Sequence, residues 1–200
     1  MFTGIIEEVG RARLLKEEKD IFRYLVHSSS GFTAEIAKGD SISVNGVCLT
    51  AYDIGENSFS VDISVASRDC TTFGCALRHD HVNLERAVTP TTRLGGHFVS
   101  GHVDGVGALA AREDGEHESV LWFSSPPELL RYIAPKGSIS VDGVSLTINE
   151  VKRDQYCVTV IPHTLDNTIL GMAMPGDKVN LEVDLIARYL ENLMQNREKT

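Results

Sequence analysis

Long apolar runs are missing from this 200-residue chain: none approaches 18 residues, and no basic stretch followed by an apolar core opens it. Neither a membrane-spanning helix nor a secretion signal is expected, and the cytoplasm is the expected compartment. Basic charge is scarce as well. Nineteen Lys and Arg stand against 28 Asp and Glu, for a formal net charge of −9. Without a clustered Lys/Arg stripe, nucleic-acid binding is not an expected role. The four cysteines, Cys48, Cys70, Cys75 and Cys157, include no Cys-x-x-Cys pair. That disfavours structural zinc and a disulfide framework. No tract of low complexity is present.

What the chain does contain, it contains twice. Ser41 to Thr50 reads SISVNGVCLT and Ser138 to Thr147 reads SISVDGVSLT, with eight of ten positions identical. The offset of 97 residues also superposes Gly4 on Gly101, Val9-Gly10 on Val106-Gly107, Gly74 on Gly171, and Val82-Asn83-Leu84-Glu85 on Val179-Asn180-Leu181-Glu182. Solenoids and propellers have shorter periods, of roughly 20–50 residues, so this is a duplicated domain. Within one unit, Ile21–His27, Ser41–Val44, Leu49–Ile54, Ser58–Val65 and Val82–Ala87 alternate or concentrate strand formers between turn signals, and Phe32–Ala37 has room for one helical turn. About six short strands with little helix suit a small closed Greek-key barrel, which leaves no exposed edge. The expected organisation is all-β: a first barrel over 1–96, a second over 97–184, and a C-terminal helix over 185–200. The join falls near Val88–Gly96, VTPTTRLGG.

In that helix Ile186, Tyr189, Leu190, Leu193 and Met194 recur at i, i+3, i+4, i+7 and i+8, one apolar stripe. The stripe can pack on its own barrels or on the same helix of other subunits. The second is expected, because each barrel already has a core of its own.

Candidate chemistry follows from differences between the copies. Gly101, Gly105 and Gly107 lie close together, but neither a Gly-Lys-Ser/Thr sequence nor a long helix follows, so they read as turn and bulge residues rather than a phosphate cradle. His79-Asp80-His81, His97 and His102 show no convergent ligand spacing, and no metal is expected. Cys48 and Ser145 are equivalent positions carrying different nucleophile types. Each is followed by Leu-Thr, which puts Thr50 beside Cys48 and Thr147 beside Ser145 on one strand face. His102 stands where the first copy has Ile5, and histidine suits acid–base work near neutral pH.

Five stretches together carry a resemblance: MFTGIIEEVG at the start, NGVCLT at Asn45–Thr50, GGHFVSGHVDG at Gly95–Gly105, KGSISVDGVSLT at Lys136–Thr147 and VNLEVD at Val179–Asp184. In order and spacing the chain resembles the riboflavin synthases with two lumazine-binding domains. The resemblance implies two six-stranded barrels and a C-terminal helix assembled as a homotrimer. It implies dismutation of two 6,7-dimethyl-8-ribityllumazine molecules to riboflavin and 5-amino-6-(ribitylamino)uracil, with no cofactor. The active site would lie between the first barrel of one subunit and the second barrel of another.

Carried over by position, first-barrel ligand contacts fall on Gly4, Ile5, Ile6, Cys48, Leu49, Thr50, Asp62, Ile63, Ser64, Val65, Ala66 and Ser67. Those of the second barrel fall on Gly101, His102, Val103, Lys136, Ser145, Leu146, Thr147, Thr159, Val160, Ile161, Pro162, His163 and Thr164. Catalytic roles are expected for His102 with Thr147 in proton removal from a C7 methyl, and for Cys48, or a water it orients, in addition to C7 of the other lumazine. Ser145 and Asp184 would position or polarise that group. The family pattern Glu-Thr-Leu is replaced by Ala66-Ser67-Arg68 in copy one and by His163-Thr164-Leu165 in copy two. The lost carboxylate keeps a second reading open, a relative that binds lumazine or flavin without turning it over.

Overall fold

The computed structural model describes residues 1–75 and 80–197. Its first half contains β1 (Glu8–Glu18), β2 (Ile21–His27), α1 (Ser30–Thr33), β3 (Ser41–Val44), β4 (Val47–Thr50), β5 (Ser58–Ser64), α2 (Val65–Asp69) and β6 (His81–Arg86). The second repeats the order: β7 (Gly105–Asp114), β8 (Ser119–Ser124), β9 (Ser138–Val141), β10 (Val144–Val151), β11 (Gln155–Val160), α3 (Pro162–Asp166) and β12 (Lys178–Val183). Helix α4 (Leu185–Arg197) ends the described chain.

All strand pairings are antiparallel. The first sheet runs β4-β3-β6-β1-β2-β5, and the second closes as β10-β11-β8-β7-β12-β9. Strand β10 is twice as long as β4, and this separates the two sheets. After Thr50 the chain turns through Asp53, whose φ is 46°, so the expected strand over Leu49–Ile54 stops early. Among the described residues, a single isolated bridge, Tyr52↔Ser60, then ties the segment after β4 to β5. In the second half β10 absorbs an irregularity between Ile148 and Glu150 and goes on pairing with β11. The short helical turn also differs from expectation: it begins at Ser30 because the Ser29 hydroxyl accepts the Phe32 N–H and caps it.

Each barrel buries its own core, and repeat-equivalent side chains fill it. Ile42, Val44, Leu49, Val82 and Leu84 in the first match Ile139, Val141, Leu146, Val179 and Leu181 in the second. Every such side chain taken fully out of water contributes about 1.5–3 kcal/mol.

The barrels meet about a local twofold. The Asn83 side-chain amide donates to the Asp142 carbonyl at 2.9 Å, and that of Asn180 donates to the Asn45 carbonyl at 2.8 Å. Asn83 Oδ1 accepts from the Ile169 N–H at 2.8 Å, and Asn180 Oδ1 from the Thr72 N–H at 2.7 Å. This explains why Asn45 and Asp142 interchange between copies. Each uses a side-chain oxygen to accept a backbone N–H, from Asn83 and Asn180 respectively, and asparagine and aspartate both supply one.

Candidate active site

The Cys48 and Ser145 rows begin at two tight turns. Asn45 (φ 50°) and Gly46 (φ 78°) turn β3 into β4; Asp142 (φ 47°) and Gly143 (φ 85°) turn β9 into β10. Two successive left-handed residues match the twist of the strands they join. Beyond each turn, side chains alternate. Leu49 and Leu146 enter the cores, Cys48 and Ser145 are half-buried, and Thr50 and Thr147 are exposed on the same face.

The short segments expected to serve these rows are exchanged between barrels. The Gly4 carbonyl accepts the Ser145 N–H at 2.8 Å, and the Gly101 carbonyl accepts the Cys48 N–H at 2.8 Å. Ile6 packs on the second core and Val103 on the first. Sequence reasoning groups Gly4-Ile5-Ile6 with the first barrel and Gly101-His102-Val103 with the second; the hydrogen bonds place them the other way round. The reason is the antiparallel bridge Phe2↔Val99, which pairs the two segments across the joint and carries each past its own barrel. A side chain is excluded at both contact points. A Cβ on Gly4 would sit 2.5 Å from Ser145 Cβ, and one on Gly101 would sit 2.6 Å from Cys48 Cβ. Exposed His102 therefore stands at the Cys48 row, while Thr147 belongs to the Ser145 row.

Sequence comparison of the copies misses His97. Its ring Nδ1 lies 2.7 Å from Ser145 Oγ. Offset by 97, it has no counterpart in copy one, so the repeat gives no signal; its place in the GGHFVSGH stretch beside His102 was the available clue. Burial pushes the imidazole below its ordinary pKa of 6.5, and the nearby Asp184 carboxylate opposes this. Asp184 also caps α4, accepting the Ile186 N–H at 2.8 Å. A neutral His97 is able to accept the Ser145 hydroxyl proton.

The folded protein holds a proton on His97 less well than the unfolded chain does. The stability contributed by neutral His97 is thus present above pH 6.5 and is lost as pH falls from 6.5 towards the depressed folded value. His97→Gln is expected to flatten that acid limb in thermal melts recorded across pH; an unchanged limb would refute the assignment.

The outer ends of the rows differ in charge. Asp62 is held by Arg23 at 3.0 and 3.3 Å and by the Tyr52 hydroxyl. Arg23 is the main cause holding its carboxyl below the usual range. Burial, followed by Asp62, pushes Tyr52 up to about 12. The equivalent Thr159 is neutral and donates its N–H to Asn149 Oδ1 at 3.0 Å. Ser64 caps α2 through the Ser67 N–H, Val65 packs on the first core, and Ala66 is exposed. His163, in the place of Ala66, is exposed beside Ile161 and Pro162, with Thr164 half-buried. Ile63 and Val160 point into the cores, so they offer a ligand only their backbones. Lys136 is exposed at a left-handed turn (φ 67°) before β9.

Among the described residues no group of three or more His, Cys, Asp and Glu converges as a metal site; His79 lies outside them. All four cysteines are free thiols. No described helix is long and apolar enough to cross a membrane. A cleft of about 620 Å³ lies beside the first barrel, between Glu7, Glu35, Arg86 and Arg93. Neither the Cys48 nor the Ser145 row lines it; in the single chain both rows open to solvent.

The lumazine binding domain family matches this chain twice, over residues 3–87 and 100–184. Riboflavin synthase of Mycobacterium bovis is 42% identical over 200 residues, 98% of this chain and 99% of that protein. The riboflavin synthase of Photobacterium phosphoreum is 40% identical over 97% of this chain and 89% of its own length. The chain belongs to the riboflavin synthase family. Among solved structures, LumP complexed with riboflavin superposes with a TM-score of 0.85 at 26% identity, covering 92% of this chain and 99% of that one. LumP complexed with 6,7-dimethyl-8-(1'-D-ribityl) lumazine gives 0.82 at the same identity.

Proposed function

We propose that this chain is a riboflavin synthase. It transfers a four-carbon unit between two molecules of 6,7-dimethyl-8-ribityllumazine, giving riboflavin and 5-amino-6-(ribitylamino)uracil. The four carbons lost by one molecule are gained by the other, so no oxidant or reductant enters. One observation carries this reading: the chain holds two related but unequal half-sites. Cys48, Thr50 and His102 form one; Ser145, Thr147, His97 and Asp184 form the other. A dismutation needs the same molecule bound twice in different roles, donor and acceptor. Holding both in register removes much of the entropic cost of their encounter, up to roughly 7–11 kcal/mol in favourable cases.

The half-sites open outward, so two chains face one another to bring His102 of one to Thr147 of the next. In that arrangement His102 assists removal of a proton from the C7 methyl of one lumazine. Cys48, or a water it orients, adds to C7 of the other. Ser145, kept polarisable by neutral His97, and Asp184 position the reacting group. The remaining named contacts, from Gly4–Ile6 through Asp62–Ser67, Lys136 and Thr159–Thr164, frame the two ring systems and their ribityl chains. The apolar stripe of α4 supports assembly as a homotrimer, and the enzyme works in the cytoplasm.

Purified protein mixed with 6,7-dimethyl-8-ribityllumazine alone is expected to form one riboflavin per two lumazines. Tight binding with an unchanged absorption spectrum would sink this reading in favour of a binding protein without turnover.

A further inference from the structure

The repeated Val-Asn-Leu-Glu stretch contains two residues with separate tasks. Its asparagines join the barrels. Its glutamates, Glu85 and Glu182, are only 3% and 2% exposed, and a buried carboxylate is retained at a cost unless donors surround it. Here they do. Glu85 accepts the Thr3 N–H at 2.6 Å, the Thr3 hydroxyl at 2.7 Å and the Gly4 N–H at 3.0 Å. Glu182 accepts the Ser100 N–H at 2.6 Å, the Ser100 hydroxyl at 2.6 Å and the Gly101 N–H at 2.8 Å. The hydroxyls pass the constraint on: Thr3 Oγ1 accepts the Ile5 N–H at 3.2 Å, and Ser100 Oγ accepts the His102 N–H at 3.3 Å.

The segments so held do not serve the barrel that holds them. Glu85 lies on β6 of the first barrel, yet Gly4 meets Ser145 in the second. Glu182 lies on β12 of the second barrel, yet Gly101 meets Cys48 in the first. We propose that Glu85 and Glu182 are crossed latches: each positions, from one barrel, the segment that completes the ligand row of the other. The proposal rests on the reading above that lumazine binds along the Cys48 and Ser145 rows. Glu182, through Ser100, sets where His102 stands. Glu85, through Thr3, fixes the backbone at Ile5, next to the Gly4 carbonyl that meets Ser145.

The latches predict a dependence that a simple staple between the barrels would not show. Glu85→Gln and Glu182→Gln keep the shape but turn one acceptor oxygen into an amide that faces a backbone donor. Hydrogen exchange of the full chain, read by mass spectrometry in short pulses with and without saturating 6,7-dimethyl-8-ribityllumazine, resolves the rows as residues 47–51 and 144–148. In the unsubstituted protein the ligand is expected to protect both rows. E182Q is expected to lose most of that protection over 47–51, with lumazine affinity at that row reduced roughly tenfold or more. E85Q is expected to lose it over 144–148. The milder Thr3→Val and Ser100→Ala variants leave the carboxylates in place, and the same crossed pattern is expected in weaker form; they carry the test if a glutamine variant does not fold. A larger loss in the substituted barrel's own row, or equal losses in both, overturns the latches. Absence of protection from both rows of the unsubstituted protein overturns the site reading itself, and the latches with it.

Discussion

Leu190→Glu combined with Leu193→Glu is expected to leave the chain folded but single, and to lower riboflavin formation by roughly a hundredfold or more as the encounter advantage is lost. The reason lies in how α4 is mounted. Its polar side is tied to its own barrel: Arg188 donates to both Asp104 oxygens at 2.7 Å, and Glu191 accepts from Arg131 at 2.7 Å and from the Tyr132 hydroxyl. The opposite side presents Ile186, Tyr189, Leu190, Leu193 and Met194, all between 55% and 67% exposed. Burying such side chains between copies stabilises association by about 1.5–3 kcal/mol each, and two unpaired carboxylates at the centre reverse that gain. The anchors on the polar side are untouched, so circular dichroism should be retained while sedimentation reports a smaller mass. An unchanged mass, or a monomer with full turnover, would refute the role given to the stripe.

Gly46→Ala should be strongly destabilising for a single added methyl. At φ 78° an alanine is strained by about 1–2 kcal/mol. Its Cβ would also lie 2.7 Å from the Gly143 backbone N. Backbone meets backbone there, across the joint between barrels, and no flexible side chain is available to give way. Overpacking of this kind costs about 1–3 kcal/mol more. For a chain of this length, the sum lowers the melting temperature by roughly 5–15 °C. Gly143→Ala, 2.9 Å from the Gly46 N, should behave alike. Gly39→Ala is the control: φ is 97° but nothing lies within 4 Å of the added carbon, so only the backbone strain remains. Equal melting temperatures for G46A and G39A would show that the joint tolerates the methyl and that its close approach does not matter.

Much of this molecule is legible in its sequence because the repeat reports the same physical demand twice. Asn45-Gly46 and Asp142-Gly143 interrupt the strand alternation with residue types of a tight turn or bulge, and the rows Cys48–Thr50 and Ser145–Thr147 follow from that alternation. The α4 stripe is equally plain. Its direction is not: whether five apolar residues face inward or outward depends on Asp104, Arg131 and Tyr132, which pair with the polar side from segments some 60 to 80 residues earlier in the chain. His97 escapes notice because it falls outside the repeat and gains its meaning only from Ser145, 48 residues away.

By itself, then, the sequence determines two similar barrels, the turns that start each ligand row, the residue types on those rows and the inequality between them. All of these follow from local patterns and from comparing one copy with the other. Only the tertiary structure decides which segment serves which row. Gly4 and Gly101 sit equally well, as sequence, beside either barrel. The bridge Phe2↔Val99 and the buried carboxylates of Glu85 and Glu182 send each across the joint, because hydrogen bonds between residues some 80 positions apart are a property of the packed chain and not of any stretch of it.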